Sequence, residues 1–444
     1  MTFRPISAGG GLPALVLSAL FLAACAPLGA PDEDHSDPVG PESGFTFAGR
    51  GSAFEALDRL CAGPSHADDG PSRTSPTPDA SVPPAIAELQ RQVADVRGLD
   101  FLDPVEPESI ASTEMSVRVR GQVRDALEGS LVDDRSRAWV TIGVVPEGTD
   151  LRKVYSDLLA GQVIGYYDPA SEELVFTGSA EPSPMERFTL AHELTHALDD
   201  QHFDLSRLDD IGERCREEQY AAGLAAVEGS AMRTSLDVVA QHFTSEEQME
   251  IFGGSLGTGT GIPPGTPPFV VGEMLFPYLD GMTFMMSVSG EGGNGAVDDV
   301  LADLPVSTEQ ILHPELRGVD EPTRVDIPDL GRRVGPGWRD LDVMQVGEDW
   351  ISRMLELELP GSEAREAAAG WDGGIYRAWS SGERTAVALS TVWDSEQDAA
   401  AFSTALSAWA GDRPVRVARD GDRVDALFAS EEATLESFVA VARG

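Results

Sequence analysis

HELTHALDDQH, residues 192–202, holds three of the chain's seven histidines in eleven positions. On an α-helix, residues four apart lie about 40° apart around the axis and about 6 Å along it. His192 and His196 therefore share a face, and both imidazoles can reach one metal ion. Glu193 projects about 100° further round, beside that ion, where it can act as a base on water. The flanks favour the helix. Ser183 is an N-cap, Pro184 suits the first helical position and Glu186 completes a capping box. Phe188, Ala191, Leu194, Thr195 and Leu198 follow helical spacing, so a helix is expected over 184–201.

A catalytic zinc site needs a third protein ligand and one open position. His202 lies six residues beyond His196, the spacing of the HExxHxxGxxH metzincin pattern. The glycine that breaks the metzincin helix is replaced here by Asp199. If the helix runs on, His202 sits about 240° around from His196 and faces away. The competing ligand is Glu228, the single acid in Ala221–Met232 (AAGLAAVEGSAM). A lone carboxylate on an apolar face is costly to bury unless it is paired or binds metal. Ala225, Gly229 and Ala231 would let that helix, expected over Glu217–His242, approach closely. Glu228 is preferred and His202 is the alternative.

The first 24 residues read as an export signal. The apolar run Leu12–Ala24 is too short to span a bilayer, and it ends in Leu22-Ala23-Ala24-Cys25, which resembles a bacterial lipobox. Cys25 is the expected lipidation site, giving an extracytoplasmic, membrane-anchored lipoprotein. Export to an oxidising compartment lets Cys61 and Cys215 pair. Residues 25–84 are rich in Pro, Asp and Ser and read as a disordered tether, with a short ordered segment at 45–63. The formal net charge of −43 argues against nucleic-acid partners. At 41% hydrophobic residues the chain can bury a core.

Residues 85–325 read as one globular domain. Helices are expected over 85–96, 118–131 and 150–160, and a strand over 138–145. QVIGYYDPASEELVF (162–176) carries hairpin chemistry at Asp168-Pro169-Ala170-Ser171. A glycine-rich loop at 253–268 lacks the Gly-Lys-Ser/Thr of a phosphate loop, and a helix follows over 276–288. Residues 326–444 read as a small ββαββα module: strands at 376–379 and 385–393, a helix at 395–409, strands at 413–418 and 423–428, and a helix at 431–441.

His192-Glu193-Leu194-Thr195-His196 followed by Val227-Glu228-Gly229-Ser230-Ala231 resembles a gluzincin, the HExxH peptidases with a glutamate ligand. Gly165-Tyr166-Tyr167-Asp168-Pro169, HELTHALDDQHFDL (192–205), FPYLDGMTF (276–284) and STEQILHPE (307–315) resemble a group of bacterial exported zinc metallopeptidases, over about residues 150–320. The resemblance implies zinc (Zn2+), hydrolysis of a peptide or protein substrate, and a mainly helical α+β zincin-like domain with a small sheet over the active-site helix. Glu193 is then the general base. Met232 stands where a thermolysin-type pattern has aspartate, so Asp199 or Asp200 is expected to hold a ligand imidazole. Tyr166, Tyr167, Tyr278 and His313 are candidate donors to a developing oxyanion. The alternative from another class is a catalytically silent metal- or peptide-binding surface lipoprotein of peptidase fold.

Overall fold

A computed structural model describes residues 45–47, 51–61, 82–129, 131–159, 163–254 and 262–443. The signal segment, Cys25 and most of the tether lie outside the described residues, as does the centre of the glycine-rich loop. The chain is a mixed α+β protein with two small sheets. Among the described residues no helix is long and apolar enough to cross a membrane.

In chain order, α1 is Ala53–Cys61 and α2 is Pro84–Arg97. They are followed by β1 (Glu108–Ile110), α3 (Ser112–Ala126), α4 (Leu131–Ile142), α5 (Leu151–Leu159), β2 (Gly165–Asp168) and β3 (Glu173–Thr177). The helices α6 (Pro184–Phe203), α7 (Arg207–Glu213), α8 (Glu217–His242), α9 (Ser245–Gly254), α10 (Pro268–Ala302) and α11 (Thr308–Leu312) follow. The C-terminal part comprises α12 (Leu330–Val334), β4 (Arg339–Gln345), α13 (Glu348–Leu355), α14 (Gly361–Ala368), β5 (Trp371–Ser381), β6 (Arg384–Trp393), α15 (Glu396–Ala410), β7 (Val415–Asp420), β8 (Arg423–Ala429) and α16 (Glu432–Ala442).

Helix α6 starts where its capping box places it. The Ser183 side chain accepts from the Glu186 amide, and the Glu186 carboxylate accepts from the Ser183 amide at 2.7 Å. Every residue from Phe188 to Asp199 is buried, so α6 is a central helix rather than a surface one. Over it lies a three-stranded sheet in the order β1-β3-β2, with β2 at one edge. The β2–β3 hairpin turns at Asp168, whose carboxylate accepts from the Ala170 amide at 3.0 Å and the Ser171 hydroxyl at 2.7 Å.

Helices α8 and α10 cross at very short range. A Cβ on Gly229 would sit 2.1 Å from the Gly281 carbonyl oxygen, and a Cβ on Gly281 would sit 2.1 Å from that of Ala225. Only glycine at both positions allows this crossing. The helix expected over 276–288 is part of the longer α10, which bends at Gly293 (φ 67°).

Residues 138–145 are not a strand. Arg135, Ala138, Trp139 and Ile142 of α4 are buried at helical spacing, and that face outweighs the β-propensity of Trp-Val-Thr-Ile. The helix expected over 118–131 ends at Ala126, and α4 begins at Leu131.

The C-terminal sheet is antiparallel throughout, in the order β4-β5-β6-β8-β7. The ββαββα string is β5-β6-α15-β7-β8-α16, and β4 adds a strand at one edge. No break in the core marks the expected boundary near 325. One buried cluster runs from α2 through Trp139 to Tyr376 and Phe428. Trp139 donates to the Tyr376 hydroxyl at 3.2 Å, and Arg135 pairs with Asp342 at 3.1 Å. Phe45, Phe47, Phe54 and Leu57 pack against Ile327, Val343 and Trp379, so the N-terminal ordered segment belongs to the C-terminal sheet. The Cys61–Cys215 disulfide ties that segment to the turn before α8.

Candidate metal centre

Helix α6 brings His192 and His196 onto one face, and α8 passes that face with Glu228 turned inward. The two Nε2 atoms lie 3.1 Å apart, and Glu228 Oε2 lies 3.0 Å from His192 Nε2 and 3.4 Å from His196 Nε2. Ligands at about 2.0–2.2 Å from a tetrahedral zinc are themselves about 3.4 Å apart. The three atoms thus already stand close to one face of such a tetrahedron. All three side chains are buried, at 3%, 2% and 1% exposure.

The electrostatics suit a cation. Burial alone would raise Glu228, but His196 and His192 overcome it and hold the carboxyl at about 2. Burial lowers His192, with its neighbour His196 adding to the effect, which favours the neutral imidazole that a metal needs. Burial also opposes charge on His196, yet Glu228, Glu193 and Asp199 together raise it.

Glu193 is fully buried, and the Tyr167 backbone amide acts on its carboxylate as a donor. Burial first, with Glu228 adding to it, pushes its carboxyl up to about 8. Strand β2 lies directly over this group: a Cβ on Gly165 would meet Glu193 Cγ at 3.3 Å. A side chain there would crowd the glutamate.

His202 does not join the site. Helix α6 continues through Asp199 and ends only at Asp204 (φ 56°), so His202 stays on the far side and its Nε2 meets the Asp100 carbonyl at 2.9 Å. Asp199 is buried beside His196. It accepts from Arg97 Nε at 2.8 Å and from the Ser230 hydroxyl at 2.7 Å. Ser230 follows Glu228 by two residues, so Asp199 ties the histidine helix to the glutamate helix. Asp200 instead accepts from the Tyr167 hydroxyl at 2.7 Å and the Leu205 amide at 2.7 Å. It holds the β2–α6 contact rather than an imidazole.

The four candidate donors separate. Tyr278 stays at the centre, its ring stacked near His192 with centroids 6.4 Å apart. Burial raises its pKa well above the ordinary value, and the nearby charges of Glu228 and Glu193 add to this, so it stays protonated and able to donate. Tyr167 is committed to Asp200 and Tyr166 is engaged with Arg118. His313 pairs with Glu348 at 3.0 Å, close to the N-terminal half of α8 and away from the metal ligands.

Sequence reasoning missed Arg97, fully buried and linked to both Asp199 and Asp298. It also missed Tyr220, two turns before Glu228 on α8, whose hydroxyl is kept protonated by burial first, then by the charges of Asp209 and Glu228. Gly281 could have been found, because it lies within the FPYLDGMTF stretch that carries the resemblance.

Residues 339–439, from β4 into α16, match a family described as a domain of unknown function, DUF8575. No curated protein and no solved structure matches the chain.

Proposed function

We propose that this chain is a zinc-dependent peptide hydrolase of gluzincin type, held outside the cytoplasm by lipid on Cys25. One observation carries the reading: His192, His196 and Glu228 converge through single atoms 3.0–3.4 Å apart, with Glu193 beside them in a buried site. Those three residues would hold the ion. A bound zinc supplies Lewis acidity, polarising a carbonyl and acidifying water. With a cation held by those residues the raised Glu193 carboxyl would ionise, and it would then take the proton of the attacking water and pass it to the leaving amine. Tyr278, protonated and beside His192, donates to the oxyanion as it develops. The edge of β2, beside Glu193, offers backbone groups to an extended peptide.

The test is zinc content and hydrolysis of denatured casein by residues 26–444. One zinc per chain is expected, with activity abolished by a chelator and restored by zinc. Glu193→Gln should keep the zinc and lose activity by about 100-fold or more. Zinc-loaded wild type that cleaves no peptide would overturn the hydrolase reading in favour of a binding protein.

A further inference from the structure

A cavity of about 170 Å³ lies between the helices and the C-terminal sheet. Its wall is drawn from α4, α5, the first turns of α8, the start of α10, and the segment that leads from β4 into α13. Trp139, Tyr155, Phe276 and Trp350 give it large apolar faces. None of His192, Glu193, His196 or Glu228 lines it. An apolar cavity of about 150 Å³ takes a benzene ring, so this one has room for a ring and a short polar arm.

Four acids line the same space: Glu217, Glu218, Glu273 and Asp349. Arg135 also lines it, but its charge is committed to Glu217 at 2.8 Å and Asp342 at 3.1 Å. Asp349 is paired with Arg353 at 3.0 Å, and Glu218 accepts from the Thr308 hydroxyl at 2.8 Å. Gly347 makes room for that glutamate, since a Cβ there would overlap its carboxylate. Glu273 differs from its neighbours. Its Oε1 is buried and has no hydrogen-bond partner among the described residues.

A donor in the same wall is unsatisfied as well. Trp350 is 4% exposed, and its Nε1 has no hydrogen-bond partner among the described residues. The ring is held by Phe269, with centroids 5.4 Å apart, and by Tyr376 at 6.2 Å. Trp139, in the same wall, instead donates to the Tyr376 hydroxyl at 3.2 Å. A buried acceptor and a buried donor that do not meet each other are costly unless a third group partners both.

The acids do not make a metal site. Among the described residues no three of their oxygens come within 4.8 Å of one another, as coordination of one ion requires. Carboxylates spread among aromatic rings suit a larger cation, whose charge the ring faces also attract. Burial raises the carboxyls of Glu218 and Asp349 to about 7 and that of Glu273 well above its usual range. A cation entering the cavity favours their ionised forms.

We propose that this cavity binds a small organic cation, a primary ammonium on an apolar body, with its charge on Glu273 and an oxygen of the same ligand on the Trp350 N–H. The cavity is separate from the three converging side chains, so the proposal stands or falls independently of the hydrolase reading.

Phenylethanolamine carries an ammonium, a ring and a hydroxyl oxygen, and phenylethylene glycol is its uncharged match in shape. Calorimetric titration of the full chain should show one phenylethanolamine bound per chain, with the glycol at least about tenfold weaker, as loss of a hydrogen bond between charged groups implies. Glu273→Gln should weaken the amine by a similar factor and leave the glycol unchanged. Ala221→Leu, which fills the cavity from α8, is the second variant and should abolish binding of both. Zinc content should be the same in all of them. Asp157→Asn, which removes an exposed acid elsewhere, should bind the amine as wild type does and controls for the chain's general acidity. No saturable binding of the amine, a glycol that binds as tightly, or Glu273→Gln and Ala221→Leu proteins that bind the amine as wild type does would each overturn the proposal.

Discussion

The α8–α10 crossing yields the sharpest prediction, Gly281→Ala. The added methyl carbon would sit 2.1 Å from the Ala225 carbonyl oxygen and 2.9 Å from its carbon. Ordinary contact begins near 3.4 Å, so the two helices must part by about 1 Å. Both obstacles are backbone, and no side chain can swing away. Overpacking of this kind costs about 1–3 kcal/mol, and rigid backbone places it at the upper end. At about 2–4 °C per kcal/mol, a loss of about 3 kcal/mol lowers the melting temperature by about 6–12 °C. Gly290→Ala makes the same chemical change on the same helix, at an exposed position with nothing within 4 Å. There alanine should stabilise by about 0.5–1 kcal/mol, because glycine is the poorer helix former. Calorimetry at saturating zinc compares the two. Zinc affinity supplies a second readout, since Glu228 directly precedes Gly229 and moves with α8. Displacing it should weaken zinc by at least the 10–100-fold typical of losing an outer-shell partner. If Gly281→Ala melts with Gly290→Ala and binds zinc as tightly, the close crossing does not position the ligand and the reasoning fails.

Three further outcomes follow from the same geometry. His202→Ala should retain one zinc per chain, because its imidazole meets the Asp100 carbonyl, while Glu228→Ala should lose it; metal analysis showing the reverse would restore the metzincin reading. Replacing Cys61 and Cys215 together by alanine opens a loop of 154 residues' separation, and the chain-entropy model puts the loss at about 5 kcal/mol as an upper value, readable as an earlier urea midpoint. Asp209 is pushed up to about 7 by burial, then by Asp168, Glu213, Asp210 and Asp200. An acid raised in the folded state binds its proton more tightly there. Its contribution is therefore fully present below the ordinary carboxyl range, is lost as pH rises to about 7, and is flat above. Asp209→Asn should stabilise the protein at pH 8 and change little at pH 4; equal effects at both would contradict the assignment.

The extent to which the sequence disclosed this structure differs from element to element, for physical reasons. Helix α6 carried its own start signal at Ser183 and Glu186, and an i, i+4 histidine pair whose geometry depends only on the helix. Glu228 stood out because an acid in a run of alanines and glycines needs a partner, and the same small residues permit the close approach that supplies one. The C-terminal strands and helices are readable because their turns and caps are local: Ser395 accepts from the Asp398 amide, and Gly382 and Gly421 take the positive φ their hairpins require. Residues 138–145 misled because β-branched and aromatic residues favour strands only where a sheet accepts them, and α4 instead lays Trp139 against Tyr376 of a sheet formed far later in the chain.

What stayed hidden is the support behind the ligands, and the reason is separation along the chain. Arg97 lies 102 residues from Asp199, and no periodicity or cap links the two. Asp199 is 1% exposed, and burial raises its carboxyl; Arg97, itself fully buried, is the first of the groups that oppose that rise. Asp199 accepts from Ser230 on α8 and lies beside His196 on α6, so it joins the two helices that carry the three converging side chains. Removing Arg97 would therefore act on His196 and Glu228 through Asp199, without touching either side chain. The convergence of His192, His196 and Glu228 was legible because the face each one takes is dictated by its own helix. The arginine was not, because only the packed core brings α2 beside α6.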